Sequence, residues 1–275
     1  MMQVPISTLH LFTPLEQKLI ELLKSLSPKD WSKPTVAKLW TVKDVAAHLL
    51  DGNMRVLASA QDYTGDPPGE INSYQDLVSY LNNLNADWVK AMKRVSPKTI
   101  ITLLEVTQKE FIGYYHSLDL YAPARFSVAW AGEQTSVNWF HIAREYTERW
   151  HHQQQIRDAV NRPGIMSREF FFPLIQTFMM ALPHTYRNTK ASEGTIISVC
   201  VTSEAGGEWK IKTQNGSWQF SDEDYKPTTT IELDPETSWK LFTKALDKTT
   251  AEKEIKISGD KELAEPIFSM TAIMG

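Results

Sequence analysis

The chain has 275 residues, more than the roughly 100–150 of a typical single domain, so two domains are the default expectation. Its 42% hydrophobic and 23% charged residues, with 12 Gly and 14 Pro, exclude a collagen-like repeat, a coiled coil and a long disordered region. A net charge of −4, no apolar run of the roughly 18 residues that a membrane span needs, and no basic then apolar block at residues 1–7 give the expectations of a cytoplasmic protein, no nucleic acid and no membrane.

Helix signals fill the first part of the chain. Thr13-Pro14-Leu15-Glu16 has the form of a capping box with proline at the first helical position, and Leu19, Ile20, Leu22 and Leu23 follow. After a proline-containing stretch between Trp31 and Trp40, Thr41 and Asp44 form a second start signal. It opens a helix through Val45, His48, Leu49 and Leu50 to Ala60. Asp66-Pro67-Pro68-Gly69 predicts a loop. Ser73 begins a helical pattern to Arg94, and Ser96 with Pro97 begins another toward His116. Asp119 to Gln134, with Pro123 and Gly132, predicts irregular backbone with a short extended piece at Phe126–Trp130. From Ser136 to Val160 a last helix runs without a breaker and ends before Asn161-Arg162-Pro163-Gly164.

After Gly164 the pattern changes. One helix, Ser167 to Tyr186, begins with Phe170-Phe171-Phe172, and strand signals follow at Thr195 to Thr202. Trp209 and Ile211 alternate with polar residues up to Gln214-Asn215-Gly216, and Trp218 and Phe220 lie beyond. Asn-Gly between two alternating runs predicts a hairpin. Thr228 to Leu233 is a further strand, and Asp234 with Pro235 starts a helix to Leu246. Glu254 to Ser258 is a last strand, and Gly259-Asp260 opens a C-terminal helix. The expected organisation is an all-α helical bundle over residues 1–163 followed by an α+β domain over 164–275.

The single cysteine, Cys200, excludes an intramolecular disulfide and a thiolate zinc cluster, so any metal ligands must be His, Asp or Glu. On the last bundle helix His141, Glu145, Glu148 and His152 fall within an arc of about 60 degrees, and Glu148 and His152 stand one turn apart. Trp139, Ala143, Tyr146 and Trp150 lie on the other side. Two readings stay open: a stripe turned to water with the aromatics in the core, or a set of metal ligands. His151 points about 100 degrees away and reads as a flanking residue. On the second helix His48 shares a face with Asp44 and Asp51, where a lone histidine is as readily a satisfied core residue. Asp44 fits the cap at Thr41 better than a role in orienting His48. Together, His48, Glu148 and His152 would make three protein ligands with an open fourth position, the pattern of a catalytic rather than a structural zinc. Bundle interiors are where such ligands project.

The run Trp40-Thr41-Val42-Lys43-Asp44-Val45-Ala46-Ala47-His48-Leu49-Leu50, followed much later by Glu148, Trp150 and His152, resembles the DinB-like superfamily, nearest to its mycothiol-dependent maleylpyruvate isomerase branch. The resemblance implies a bundle that holds a divalent metal through His48, Glu148 and His152. Zinc is the expected ion, with nickel or another left open. It also implies a low-molecular-weight thiol at that metal, or a water where thiol is absent. Thr228 to Gly275, with its Ser258-Gly259-Asp260-Lys261-Glu262-Leu263 turn, is similar to the sterol-carrier-protein-2-like domain that follows the bundle in this branch. The resemblance thus covers nearly the whole chain. It implies a thiol-using isomerase or transferase whose partners are a small electrophilic substrate and the thiol; a monomer or homodimer is the expected state.

With no cysteine near the expected site, any thiolate comes from a small molecule, and Cys200 reads as a small buried hydrophobe in a strand. Glu145 and His141 share the ligand face, so they either hydrogen-bond the ligands or form a solvated polar pair. Arg144, Arg149 and Arg157 on the same helix either meet a substrate carboxylate or pair with surface acids. The branch also implies an active-site arginine from the C-terminal domain. No motif matches it here, and Arg187 is a candidate by position only. Two other functions fit the same residues. One is a carrier of an apolar ligand lined by Phe170, Phe171, Phe172, Trp209, Trp218 and Trp239, although core packing is the commoner use of such aromatics. The other is a hydrolase with a metal-activated water.

Overall fold

A 3-10 turn at Leu9–Leu11 runs straight into helix α1, Phe12–Lys24, one residue ahead of the Thr13 start signal. Thr13 and Pro14 therefore sit inside the first turn, where a missing proline N–H leaves no helical bond unmade. Glu16 turns inward and is buried, so the capping box expected there does not form. The computed structural model describes residues 4–63, 65 and 69–273. Of the expected loop at Asp66-Pro67-Pro68-Gly69, all but Gly69 lies outside the described residues.

Three further helices start where side-chain caps are available. Helix α2, Val42–Ala60, opens at Thr41, whose backbone N–H and hydroxyl both donate to Asp44 Oδ2 at 3.0 and 2.7 Å. Helix α3, Tyr74–Met92, has Ser73 Oγ accepting from the Asp76 N–H. Helix α4, Pro97–Ser117, has Ser96 as cap and proline at its start. Helix α5, Asn138–Val160, ends as expected before Asn161, which takes a positive φ of 54°.

The chain divides into two compact units. One contains residues 8–122 and 148–165; the other contains 4–7, 123–147 and 166–273. In the first unit α2 is the hub. Its Val45, Ala46, Leu49 and Leu50 are buried with Leu19, Leu23, Ile100, Leu104 and Ile156 in one apolar core. Each large aliphatic side chain buried there contributes about 1.5–3 kcal/mol relative to exposure. Two polar ties add register: Trp88 Nε1 donates to the Ala47 carbonyl at 2.7 Å, and Asn53 Nδ2 donates to Thr107 Oγ1 at 2.9 Å.

In the second unit residues 123–137 differ from expectation. The piece expected to be extended forms a 3-10 turn at Ala129–Ala131, closed by Gly132 at φ 86°. A side chain at Gly132 would need that left-handed backbone and would place its Cβ 2.4 Å from His184 Nδ1, so only glycine fits. The single helix expected over 167–186 is two helices, α6 at Arg168–Met179 and α7 at Leu182–Tyr186. Pro183 has no N–H to return to the Met179 carbonyl, which breaks the ladder there.

Five strands follow: β1 Ile196–Val201, β2 Gly207–Gln214, β3 Ser217–Phe220, β4 Thr229–Leu233 and β5 Lys256–Gly259. They form one mixed sheet in the order β3-β2-β1-β4-β5. Only the β1–β4 pair is parallel; the other neighbours run antiparallel. Asn215 and Gly216 both take positive φ, 52° and 74°, as a type I′ hairpin requires. Ile197, Val199, Ile211, Ile231 and Leu233 are buried. Helix α8, Pro235–Phe242, buries Trp239 and Phe242 completely. It stops short of Leu246, because Lys244 turns to a φ of 60°. A short helix α9 at Lys248–Glu254, capped by Asp247, was not expected. The expected C-terminal helix is a 3-10 segment, Glu262–Ser269, with Pro266 inside it. Phe170, Phe171, Trp218 and Trp239 are core residues, and the half-buried Phe172 and Trp209 stack at 6.0 Å.

Candidate metal centre

The Thr41–Asp44 cap fixes where α2 begins, and His48 follows one turn after Asp44. Asp44 is itself anchored. Burial pushes its carboxyl pKa up, but the Lys93 ammonium at 2.7 Å and the Thr41 donors outweigh that and leave it below the ordinary value. On α5, Glu148 and His152 stand one turn apart, with Glu148 Oε2 3.5 Å from His152 Nε2. The rings of His48 and His152 meet edge to face, centroids 4.6 Å apart at 71°. One ligand atom from each of His48, Glu148 and His152 lies within 4.8 Å of the other two. Two histidines and one glutamate from two helices thus converge without any thiolate.

The electrostatics of the cluster fit a cation. His48 Nδ1 is enclosed and has no hydrogen-bond partner, which costs about 1–3 kcal/mol for a buried polar atom. Burial first, and then the neighbouring His152, holds His48 well below the usual histidine pKa, so it is neutral. His152 Nδ1 donates to Gln155 Oε1 at 2.9 Å, which turns Nε2 toward the Glu148 carboxylate. Two imidazoles with a carboxylate suit zinc and also nickel and other first-row ions.

Trp40, which heads the family-like run, and Gln155, which no sequence pattern marked, complete the surroundings. The Trp40 ring lies 4.9 Å from His48 and 6.1 Å from His152, covering both imidazoles. Gln155 fixes the His152 tautomer, and the spacing rule that pairs Glu148 with His152 also places Gln155 one turn from it. His151 is buried with its ring 3.9 Å from that of His152, but it lies outside the ligand cluster, as its direction on the helix predicts.

The remaining sequence candidates separate. Arg144 donates to Glu145 and sits 3.2 Å from His141 Nδ1. Burial first, then Arg144, lowers the His141 pKa to about 4. Arg149 is buried: Nε and Nη2 each donate to the Glu16 carboxylate at 2.6 Å, and Nη1 donates to the Leu49 carbonyl at 2.6 Å. Arg157 donates to the carbonyls of Lys18, Arg162 and Pro163. Arg187 donates to the His184 carbonyl. Along the His/Glu stripe His141 and His152 are buried and Glu145 and Glu148 half-buried, so the stripe does not lie open to water. Cys200 is half-buried rather than sealed, paired in register with Glu208 and Glu232.

Comparison with known proteins agrees with this architecture. The profile described as mycothiol maleylpyruvate isomerase N-terminal domain matches residues 12–157, and that of the SCP-2 sterol transfer family matches residues 177–269. Among curated proteins none matches the chain. A solved mutant of the mycothiol-dependent maleylpyruvate isomerase is 8% identical, with 91% of each chain covered and a TM-score of 0.55. A second structure of the mycothiol-dependent maleylpyruvate isomerase is 9% identical over the same shares, with a TM-score of 0.50. At these identities the likeness establishes the fold: a helical N-terminal region followed by a mixed sheet with helices. By the profile over its helical half, the chain belongs to the mycothiol maleylpyruvate isomerase N-terminal domain family, with a sterol-carrier-like α+β region behind it.

Proposed function

We propose that this chain is a metal-dependent enzyme of the maleylpyruvate isomerase kind, in which His48, Glu148 and His152 hold a divalent cation and a low-molecular-weight thiol attacks a small electrophilic substrate. The observation that carries the reading is the enclosed, unpartnered His48 Nδ1 in a cluster of two imidazoles and a carboxylate. Zinc is the proposed ion, with nickel the nearest substitute. A cation bound there would deprotonate a thiol, or acidify a water, in its open position.

The chain's own residues prepare that chemistry. Gln155 keeps His152 in the tautomer that presents Nε2, and Trp40 limits water at both imidazoles. His141 and Glu145, tied to Arg144, are proposed to brace the turn of α5 that precedes Glu148. Arg149 and Arg157 donate to Glu16 and to backbone carbonyls, so neither is proposed to meet a substrate carboxylate. Cys200 is unsuited to supply the thiolate, because burial and then Glu208 and Glu232 raise its pKa. We place the domain boundary at 163/164, between the two profile matches, and the protein in the cytoplasm as a monomer or homodimer. Among the described residues no helix is long and apolar enough to cross a membrane.

Metal analysis of the purified protein beside His48→Ala tests the site. The expected result is near-stoichiometric metal lost in the variant; equal metal in both removes the triad. Turnover of small electrophiles with a panel of thiols, against thiol-free controls, separates thiol transfer from a hydrolase with activated water. The sterol-transfer match favours a second reading, a carrier of an apolar ligand in the C-terminal region. Lipid that copurifies with a metal-free protein is the outcome that would select it.

A further inference from the structure

We infer that the Arg149–Glu16 pair is a positioning device for the metal ligands, an inference that rests on the metal reading above. Arg149 directly follows Glu148 on α5, and Leu49, whose carbonyl accepts from Arg149 Nη1, directly follows His48 on α2. One guanidinium therefore joins the neighbour of a ligand on one helix to the neighbour of a ligand on the other. Its remaining donors close on both oxygens of Glu16 from α1, and the Phe111 ring of α4 lies 4.9 Å beneath it. The planar fork permits one orientation for these bonds, unlike a flexible ammonium.

Cohesion alone does not account for the pair. Both charged side chains are sealed from water, 3% and 2% exposed, and a well-packed apolar pair would hold the same helices at no greater cost. What the charged pair adds is register. A slip of α5 by one residue moves its side chains about 1.5 Å along the axis and turns them about 100 degrees. Such a slip would carry Glu148 and His152 away from His48, and it would also break every bond of the Arg149 fork.

The test uses cobalt(II) as the probe in the full-length protein, with Arg149→Lys and the double variant Glu16→Met/Arg149→Met beside wild type. Circular dichroism and thermal melts of the metal-free proteins report the fold, and cobalt titration with visible spectra reports the site. The expected result is helical variants that bind cobalt about tenfold or more weakly and lose intensity in the visible cobalt bands. A purely structural pair would lower melting temperature and leave cobalt affinity and spectrum unchanged. Cobalt binding within twofold of wild type in either folded variant overturns the inference. So does a double variant that fails to fold while Arg149→Lys binds cobalt normally. Failure of wild type itself to bind cobalt or zinc instead sinks the metal reading.

Discussion

His152 and Gln155 form a buried pair on α5, in which the imidazole Nδ1–H donates to the amide oxygen at 2.9 Å. That bond decides which ring nitrogen faces Glu148. Replacing Gln155 by Leu is expected to weaken zinc binding by about 10–100-fold without removing any ligand. Competition with a chromophoric chelator measures it. Unchanged affinity in Gln155→Leu would show that the tautomer is set by something else.

Metal removal has an expected signature in stability. Zinc at a hundredfold excess over its Kd adds about 2.7 kcal/mol to a site that the unfolded chain lacks. For a chain of this size the gain raises Tm by about 5 °C. Differential scanning calorimetry with and without chelator checks the shift. His152→Ala should show almost none of it, and a full shift in that variant would mean that zinc binds elsewhere.

Asp44 links the start of α2 to Lys93, and its removal has a defined pH dependence. Asp44→Ala is expected to cost about 1–2 kcal/mol at neutral pH, mostly through the lost cap, since Lys93 is largely exposed. The folded-state pKa lies below the model-peptide 3.8, so the contribution is whole above that pH and fades as pH falls through the folded value. Urea titrations of both proteins at pH 7 and pH 3 should give a gap that narrows at the lower pH. A constant gap would contradict the ionic part of the argument.

His141 predicts the opposite kind of group with the same outward trend. It is buried neutral with a folded pKa of about 4 against an ordinary 6.5, so the unfolded chain binds the proton first as pH drops. Stability is therefore expected to fall between pH 6.5 and 4, by on the order of 3 kcal/mol from this group. His141→Gln should flatten that part of the pH profile. A variant whose stability still falls as steeply across this range would assign the loss to other groups.

Capped helices and the hairpin were legible because their signals are local. Thr41 with Asp44, Ser73, Ser96 and Asn215-Gly216 each act within four residues, and each does what its chemistry predicts. The Thr13 box failed for a tertiary reason: Glu16 is claimed by Arg149, 133 positions away, and no local rule anticipates that partner. Helix ends at Phe242 and Met179 were misjudged because a Lys at positive φ and a proline two residues inside the next helix stop the ladder without a glycine. At the site, the arc of α5 and the family-like run around His48 pointed to the three clustered residues. The role of Trp40 was invisible, since its ring reaches His152 across 112 positions of sequence. The buried glutamines of α5 look solvent-facing by composition, and only the packing around them shows otherwise.

The order of the sheet carries a consequence for how this protein resists aggregation. Its longest strands, β1 and β2, are interior, and its two edges are β3 and β5, each of four residues. An edge that short offers an incoming chain only about two pairs of backbone hydrogen bonds, too few to seed strand addition. One edge ends at Gly259 with a φ of 94°, which turns the backbone out of the extended plane, and it begins with the exposed Lys256. Unpaired backbone is thus kept scarce where the fold is open. A partner that docks on this sheet must recognise side chains, because the main chain offers too little to template a sixth strand.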